Sequence, residues 1–177
     1  EEVQQTLAVA VLEFGVRPFF MGRGTDLLVS DQGADLLVLK AYSGLGRLEL
    51  EEGRTIVAGS GVSMARLAGF ALEHGLTGLE FAQGIPGSVG GGVYMNAGAY
   101  GGEMSQVVTR VSAVGLPLEE PVQEQCVDPQ FSYRHSIFQE QDSFILRAYF
   151  TLDPGDPAEI EAKMEDLAAR RRAKQPL

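Results

Sequence analysis

Apolar residues recur at two different periods along this chain, and the switches between periods mark out its elements. Residues 2 to 14 put Val3, Leu7, Ala10, Val11 and Phe14 on one helical face, and Gly15 supplies a stop. Pro18-Phe-Phe-Met21 is short, apolar and closed by Gly22, so it reads as a strand and completes half of an α/β unit. Leu36 to Leu39 and Thr55 to Ala58 read as further strands, with a turn over residues 43 to 53 that holds a short strand at Leu48 to Leu50. A second helix starts from the cap Ser63, presents Met64, Leu67, Ala68, Ala71 and Leu72, and ends at His74-Gly75. Alternation returns at Val107 to Val114 and at Phe144 to Leu152, where Phe144, Leu146, Ala148, Phe150 and Leu152 share one face. These two segments predict an antiparallel second lobe. Residues 115 to 130, rich in Pro, Glu and Gln, have no period and read as loop or irregular edge. Asp156-Pro-Ala-Glu159 joins a cap residue, a first-turn proline and a glutamate three beyond the cap, which predicts a helix to Ala173 with Ile160, Met164 and Leu167 inward. Arg170-Arg-Arg172 and Lys174 suit the negative pole of that helix.

One stretch has neither period. In residues 84 to 102, GIPGSVGGGVYMNAGAYGG, eight of nineteen positions are glycine, interleaved with Ile85, Val89, Val93 and Met95. Such a run costs backbone entropy on folding, so it belongs where something approaches the main chain closely or where φ is positive. The apolar interleaving predicts a buried loop rather than a tether, and rows of backbone N–H groups there can hold a phosphate or the polar edge of a flat cofactor. Tight turns between packed strands are the alternative. Neither Gly22-Arg-Gly24 nor the 84 to 92 run completes the Rossmann or P-loop pattern.

Four segments in one order resemble the UDP-N-acetylenolpyruvoylglucosamine reductase family, the second enzyme of peptidoglycan precursor synthesis. They are Gly22-Arg-Gly-Thr-Asp-Leu-Leu-Val29, Gly84-Ile-Pro-Gly-Ser-Val-Gly-Gly91, Met95-Asn-Ala-Gly-Ala-Tyr-Gly101 and Phe131-Ser-Tyr-Arg-His-Ser-Ile-Phe138. The resemblance implies an α+β fold, the two-lobed FAD-binding domain of the p-cresol methylhydroxylase type, with residues 1–58 as first lobe and 59–177 as second. It implies FAD contacts from Gly22, Arg23, Gly24, Thr25, Asp26 and Leu27 around the pyrophosphate. Further contacts are implied for Gly59, Gly84, Ile85, Pro86, Gly87, Ser88, Gly90, Gly91, Asn96, Ala97, Gly98, Ala99, Tyr100 and Ile145. Where Asp26 stands the family usually has asparagine, and a carboxylate near a diphosphate is repulsive unless it points away; an ordinary turn or cap residue is the other reading.

The same resemblance makes Arg134 the catalytic residue, with Tyr133 beside it in contact with substrate. In the family reaction NADPH reduces FAD, and the hydride then passes to an enolpyruvyl ether of UDP-N-acetylglucosamine. Negative charge grows toward the substrate carboxylate, which a guanidinium can meet with two parallel hydrogen bonds. Without the motif, Arg134 would read as a surface or structural ion pair. The family's serine proton donor and C-terminal glutamate fall in segments past Leu177, so its C-terminal substrate domain is expected to be absent here. A stand-alone flavin-binding module and another flavin oxidoreductase of the same fold are the rival readings.

Composition narrows these readings without deciding among them. With 177 residues, 45% of them hydrophobic, the chain can bury a core as one domain or as two small lobes sharing a cleft. A net charge of -10 repels nucleic acid and anionic membrane, so a phosphate would be held by local backbone dipoles. The single cysteine, Cys126, forms no internal disulfide, and with two histidines the chain is short of soft metal ligands, so no metal is expected. His74 reads as a helix-end residue rather than a ligand or a covalent flavin anchor. No stretch is apolar enough for a membrane span and no leader opens the sequence, so a reducing, cytoplasmic compartment is the expectation.

Overall fold

The computed structural model describes residues 2–116 and 124–175. Glu1, residues 117–123 of the segment read as a loop, and the last two residues of Lys174-Gln-Pro-Leu177 lie outside these. The chain opens with α1 (Glu2–Ala8), which runs on as a π-helical turn over Val9–Glu13. Leu7 and Ala10 are buried as expected, but Phe14 is 71% exposed. A π turn carries an extra residue, so the helical face expected to include Phe14 has rotated away by then. Two short strands, β1 (Phe19–Met21) and β2 (Val38–Lys40), then pair in parallel with Phe19 opposite Val38.

Next come β3 (Leu48–Glu51), β4 (Thr55–Gly59), α2 (Met64–Glu73) and the two-residue β5 (Leu76–Thr77). The glycine-rich region forms α3 (Val89–Tyr94) and a small hairpin of β6 (Gly98–Ala99) and β7 (Gly102–Glu103). The remaining elements are β8 (Val108–Gly115), β9 (Gln125–Val127), β10 (Ser143–Thr151), β11 (Asp153–Pro154) and α4 (Pro157–Lys174). Ser63 caps α2 by accepting from the Arg66 N–H, and Asp156 caps α4 by accepting from the Ala158 N–H. Among the described residues no helix is long and apolar enough to cross a membrane.

Five strands form one antiparallel sheet in the order β3-β4-β10-β8-β9. Residues 48–58, assigned from sequence to the first lobe, are hydrogen-bonded into this sheet. Residues 125–127, expected as loop or irregular edge, form its outer strand. The main core packs Ile56, Ala58, Val111, Ala113, Ala148 and Phe150 of the sheet with buried residues of α2, α3 and α4. A second cluster joins Leu7 and Ala41 to Val114, Phe144 and Leu146.

The division between these clusters corrects the expected face of β10. The register slips between Ile145 and Arg147, where one extra residue forms a bulge. Because side chains alternate with period two, one inserted residue inverts every later position. Phe144 and Leu146 therefore face the N-terminal residues, while Ile145, Ala148, Phe150 and Leu152 face the main core.

Candidate functional site

The glycine run folds against the end of β4. The Val89 N–H donates to the Val62 carbonyl at 2.8 Å, the Gly90 N–H to the Ser60 carbonyl at 2.9 Å, and the Met64 N–H to the Gly87 carbonyl at 3.2 Å. Ser60 is tied in turn to β10 through the Leu146 carbonyl at 2.9 Å. The run was expected as a buried loop, yet residues 89–94 are helical despite three successive glycines, each costing a helix about 1 kcal/mol relative to alanine. Close packing selects two of them. A Cβ on Gly90 would lie 2.9 Å from Ser60 Cβ, and one on Gly92 would lie 2.9 Å from the Met64 sulfur. Gly91 is different: it is exposed, and its Cβ would meet only the Ser88 hydroxyl, at 3.7 Å.

The loop after β1 closes over this helix start. A Cβ on Gly22 would stand 2.3 Å from Ser88 Oγ, and Thr25 Oγ1 donates to the Pro86 carbonyl at 3.1 Å. Gly24 and Gly87 both have positive φ, +71° and +142°, and a Cβ on Gly87 would lie 3.4 Å from Thr25 Oγ1. Arg23, Asp26 and Leu27 are exposed, and Asp26 makes no hydrogen bond or ion pair among the described residues. Ser88 is buried, yet its hydroxyl has no partner. An unpaired buried hydroxyl costs about 1–3 kcal/mol, which a ligand accepting or donating there would recover. Gly22, Ser88 and Gly91 thus form a cradle with an orphan hydroxyl at its centre and no side chain filling it. That combination fits a group laid along the main chain, such as the diphosphate or ring edge of FAD.

Other expected contacts have a packing reason of their own. A Cβ on Gly59 would lie 2.1 Å from the Leu45 carbonyl oxygen, and one on Gly84 would lie 2.8 Å from Arg171 Cδ. Ile145 is buried in the main core, and Ile85 packs against it. Ala97 is also a core residue, whereas Pro86 is exposed.

Beyond α3 lies a cleft of about 250 Å³ lined by Asn96, Tyr100, Glu103, Gln106, Tyr133 and Arg134, among others. Three of these, Asn96, Tyr100 and Arg134, hold positive φ of 43°, 54° and 54°. Left-handed non-glycine residues cost of order 1–3 kcal/mol each and persist where the surroundings over-determine them, often at functional sites. Tyr100 and Gly101 form the two-residue turn of the β6–β7 hairpin, where both central residues need positive φ. Arg134 sits at the tip of a tight turn closed by Ser132 and His135, which exchange backbone hydrogen bonds of 3.1 and 3.2 Å.

That turn is fastened to the glycine helix. Ser136 Oγ donates to the Tyr94 carbonyl at 2.7 Å, and Gln139 Nε2 donates to the carbonyls of Tyr94 and Arg134, both at 3.0 Å. Tyr94 O is one of the carbonyls a helix leaves unpaired at its C-terminus, so both loops gain from the junction. Asn96 Nδ2 donates to the Ser132 carbonyl and its Oδ1 accepts from the Ser105 N–H, both at 2.9 Å. Arg134 itself is exposed and its guanidinium has no ion-pair partner among the described residues, while Tyr133 is 88% exposed. A structural ion pair therefore does not account for Arg134. His74 caps α2, with Nδ1 2.8 Å from the Phe70 carbonyl.

A second hollow, of about 370 Å³, lies between β5, β11 and α4 and is lined by Thr77, Glu80, Asp156, Glu159 and Lys163. Glu80 is buried at the start of the 3-10 turn Glu80–Gly84, which leads into the glycine run. Its carboxylate accepts from Thr77 Oγ1 at 2.5 Å, from the Gly78 N–H at 3.1 Å and from Lys163 Nζ at 3.2 Å. Burial pushes the carboxyl pKa up, but these bonds, Thr77's foremost, outweigh it and leave it below the ordinary 4.5. The sequence reading passed over Glu80, although a lone acid among Leu79, Phe81 and Ala82 was a signal. It also missed Gln139, which carries no signal in sequence. Among the described residues no group of three or more His, Cys, Asp or Glu could hold a metal ion.

Comparison with known proteins shows the family of the chain. The FAD binding domain family matches residues 1–117. The UDP-N-acetylenolpyruvoylglucosamine reductase of Caldanaerobacter subterraneus subsp. tengcongensis is 47% identical, over 90% of this chain and 52% of that protein. The chain spans about half the length of the curated relatives it matches. The crystal structure of UDP-N-acetylenolpyruvylglucosamine reductase from Thermus caldophilus superposes with a TM-score of 0.81 at 27% identity, covering 98% of this chain and 61% of that one. Cholesterol oxidase from Brevibacterium sterolicum shares the fold alone, with a TM-score of 0.61 at 19% identity over 85% of this chain and 32% of its own. These agree with the expected α+β flavin fold, and the chain belongs to the FAD-binding domain family.

Proposed function

We propose that this chain is the FAD-binding portion of an NADPH-dependent reductase that converts the enolpyruvyl ether of UDP-N-acetylglucosamine to UDP-N-acetylmuramate in peptidoglycan synthesis. The observation that carries it is Arg134: an exposed guanidinium without an ion-pair partner among the described residues, held at a left-handed turn tip that is fastened to the glycine helix. The reductases that the chain resembles supply the substrate class. The enzyme reading includes a cytoplasmic location, where nucleotide sugars and NADPH are available, and a divide between the two lobes near Ala41 rather than at residue 58.

In this reading Gly22, Thr25, Gly87 and Ser88 hold the FAD diphosphate, and Gly91 leaves room for the ring system. FAD, when bound, supplies the capacity to take a hydride from NADPH and pass it to the substrate. Arg134 meets the substrate carboxylate with two parallel hydrogen bonds and stabilises the charge that grows there. Tyr133 offers an exposed ring with a polar tip to the same ligand. Ser136 is not the acid that protonates the product, because its hydroxyl is buried and donates to Tyr94.

Two measurements test this. The purified chain should take up FAD non-covalently, with flavin absorbance that leaves on denaturation. In the complete natural polypeptide, Arg134→Ala should lower substrate-dependent NADPH oxidation by about 100- to 1,000-fold with unchanged flavin content. A protein that takes up no FAD, or an Arg134→Ala enzyme with normal turnover, overturns the reading.

A further inference from the structure

We propose that Asn96 is a positioning residue for Arg134 and not a contact to the cofactor, which revises the role that its motif implies; the inference rests on Arg134 acting as described above. Asn96 is 2% exposed, and both ends of its amide are already engaged within the protein. Nδ2 donates to the Ser132 carbonyl and Oδ1 accepts from the Ser105 N–H. Each of the two atoms has a partner within the protein, in contrast to Ser88, whose buried hydroxyl has none.

The Ser132 carbonyl is also the acceptor for the His135 N–H that closes the turn. Asn96 therefore grips the base of the turn at the atom that defines it. Gln139 in turn donates to the carbonyls of Arg134 and of Tyr94, two residues before Asn96 in the chain. The backbone of Asn96 is itself left-handed, at φ 43°, a conformation asparagine tolerates better than other residues with a side chain. One residue type thus satisfies two demands: a left-handed turn out of α3 and a two-ended amide clamp. A shift in the grip on Ser132 moves Arg134, two residues along. Small misplacements of a charge-stabilising group cost turnover while leaving affinity for the cofactor alone.

The test is a double-mutant cycle in the complete natural polypeptide, loaded with FAD. Asn96→Asp keeps the acceptor for Ser105 and the tolerance of positive φ, but sets a carboxylate oxygen against the Ser132 carbonyl. It should lower kcat by about tenfold, since a clamp residue and the group it positions form one coupled unit. The FAD dissociation constant should stay within about threefold of wild type, and the backbone amides of 132–135 should exchange with deuterium faster. In an Arg134→Ala background the same substitution should lower kcat no further.

An independent, multiplicative loss on that background would overturn the proposal. So would a large loss of FAD affinity with normal turnover at saturating FAD. If Asn96→Asp does not fold, Asn96→Gly, which keeps the left-handed backbone and removes both side-chain hydrogen bonds, replaces it in the same cycle with the same two expectations. Arg134→Ala with normal turnover sinks the functional reading instead, and the exchange rates of 132–135 then decide the clamp by themselves.

Discussion

The hydroxyl of Ser88 occupies the place that a side chain on Gly22 would take: a Cβ there would lie 2.3 Å from Ser88 Oγ. This close approach, together with the Thr25 Oγ1 hydrogen bond to the Pro86 carbonyl, joins the loop after β1 to the start of the glycine helix. Gly22→Ala should therefore push the two loops apart and weaken FAD binding by about tenfold or more, at a stability cost of about 1 kcal/mol or less because the moving loop is exposed. Gly22→Ala with Ser88→Ala should regain part of the loss, since the nearest remaining atom, Ser88 Cβ, lies at an ordinary 3.5 Å. Flavin titration and thermal unfolding measure the two effects separately. No change in FAD affinity for Gly22→Ala would remove the cradle from the site.

Neighbouring glycines of α3 should respond in opposite ways. Gly92 faces Met64 and Met104, so Gly92→Ala overpacks the core and should cost about 1–3 kcal/mol of stability. Gly91 faces open space, so Gly91→Val should leave stability within about 1 kcal/mol, while its branched side chain fills the cradle and reduces FAD affinity sharply. Equal FAD affinity with a large loss of stability at Gly91 would return the run to a purely structural role.

These contrasts show where sequence was informative. The caps Ser63 and Asp156 fixed the starts of α2 and α4 because a cap is a local bond between near neighbours, readable without the rest of the fold. The glycine run announced close approach, but not that it would be helical, because contacts with Ser60 and Met64 overrule a poor propensity. The bulge at Leu146 was invisible, since Phe144 to Leu152 alternate cleanly and the slip depends on the partner strand. Arg134 was legible through its motif, whereas its fastening to Tyr94 and Ser132 depends on contacts more than thirty residues apart in sequence, such as Asn96 to Ser132.

The left-handed backbone of Arg134 predicts a conflict between stability and activity. Glycine accepts φ of +54° freely, and the Arg134 side chain gives up no ion pair among the described residues when removed. Arg134→Gly should therefore be more stable than Arg134→Ala by about 1 kcal/mol, while both lose turnover alike. Urea unfolding of the two variants is the measurement. Equal stability would mean that the turn is relaxed and that its shape reflects no functional demand.

Glu80 predicts a pH dependence whose sign follows from its hydrogen bonds. Its folded-state pKa is lowered from 4.5: burial raises it, but donors from Thr77, Gly78 and Lys163 prevail. A carboxyl with a lowered folded pKa contributes stability that is present above its unfolded value and is lost as pH falls through the folded one. Glu80→Gln keeps the shape and an acceptor for Thr77 but removes the charge that Lys163 and the Gly78 N–H complement. It should cost about 1–3 kcal/mol at pH 7, the scale of hydrogen bonds to a charged group. That difference should begin to shrink as pH drops below about 4.5, where the unfolded chain takes up its proton first, and should close as pH falls through the lower folded-state pKa. Because Glu80 begins the turn that leads into Ile85 and the glycine run, FAD affinity should weaken in the variant together with stability. Urea unfolding of both proteins from pH 7 to pH 3 decides the matter: a difference that stays constant across that range would show that the charge of Glu80 contributes nothing and that only its shape is used.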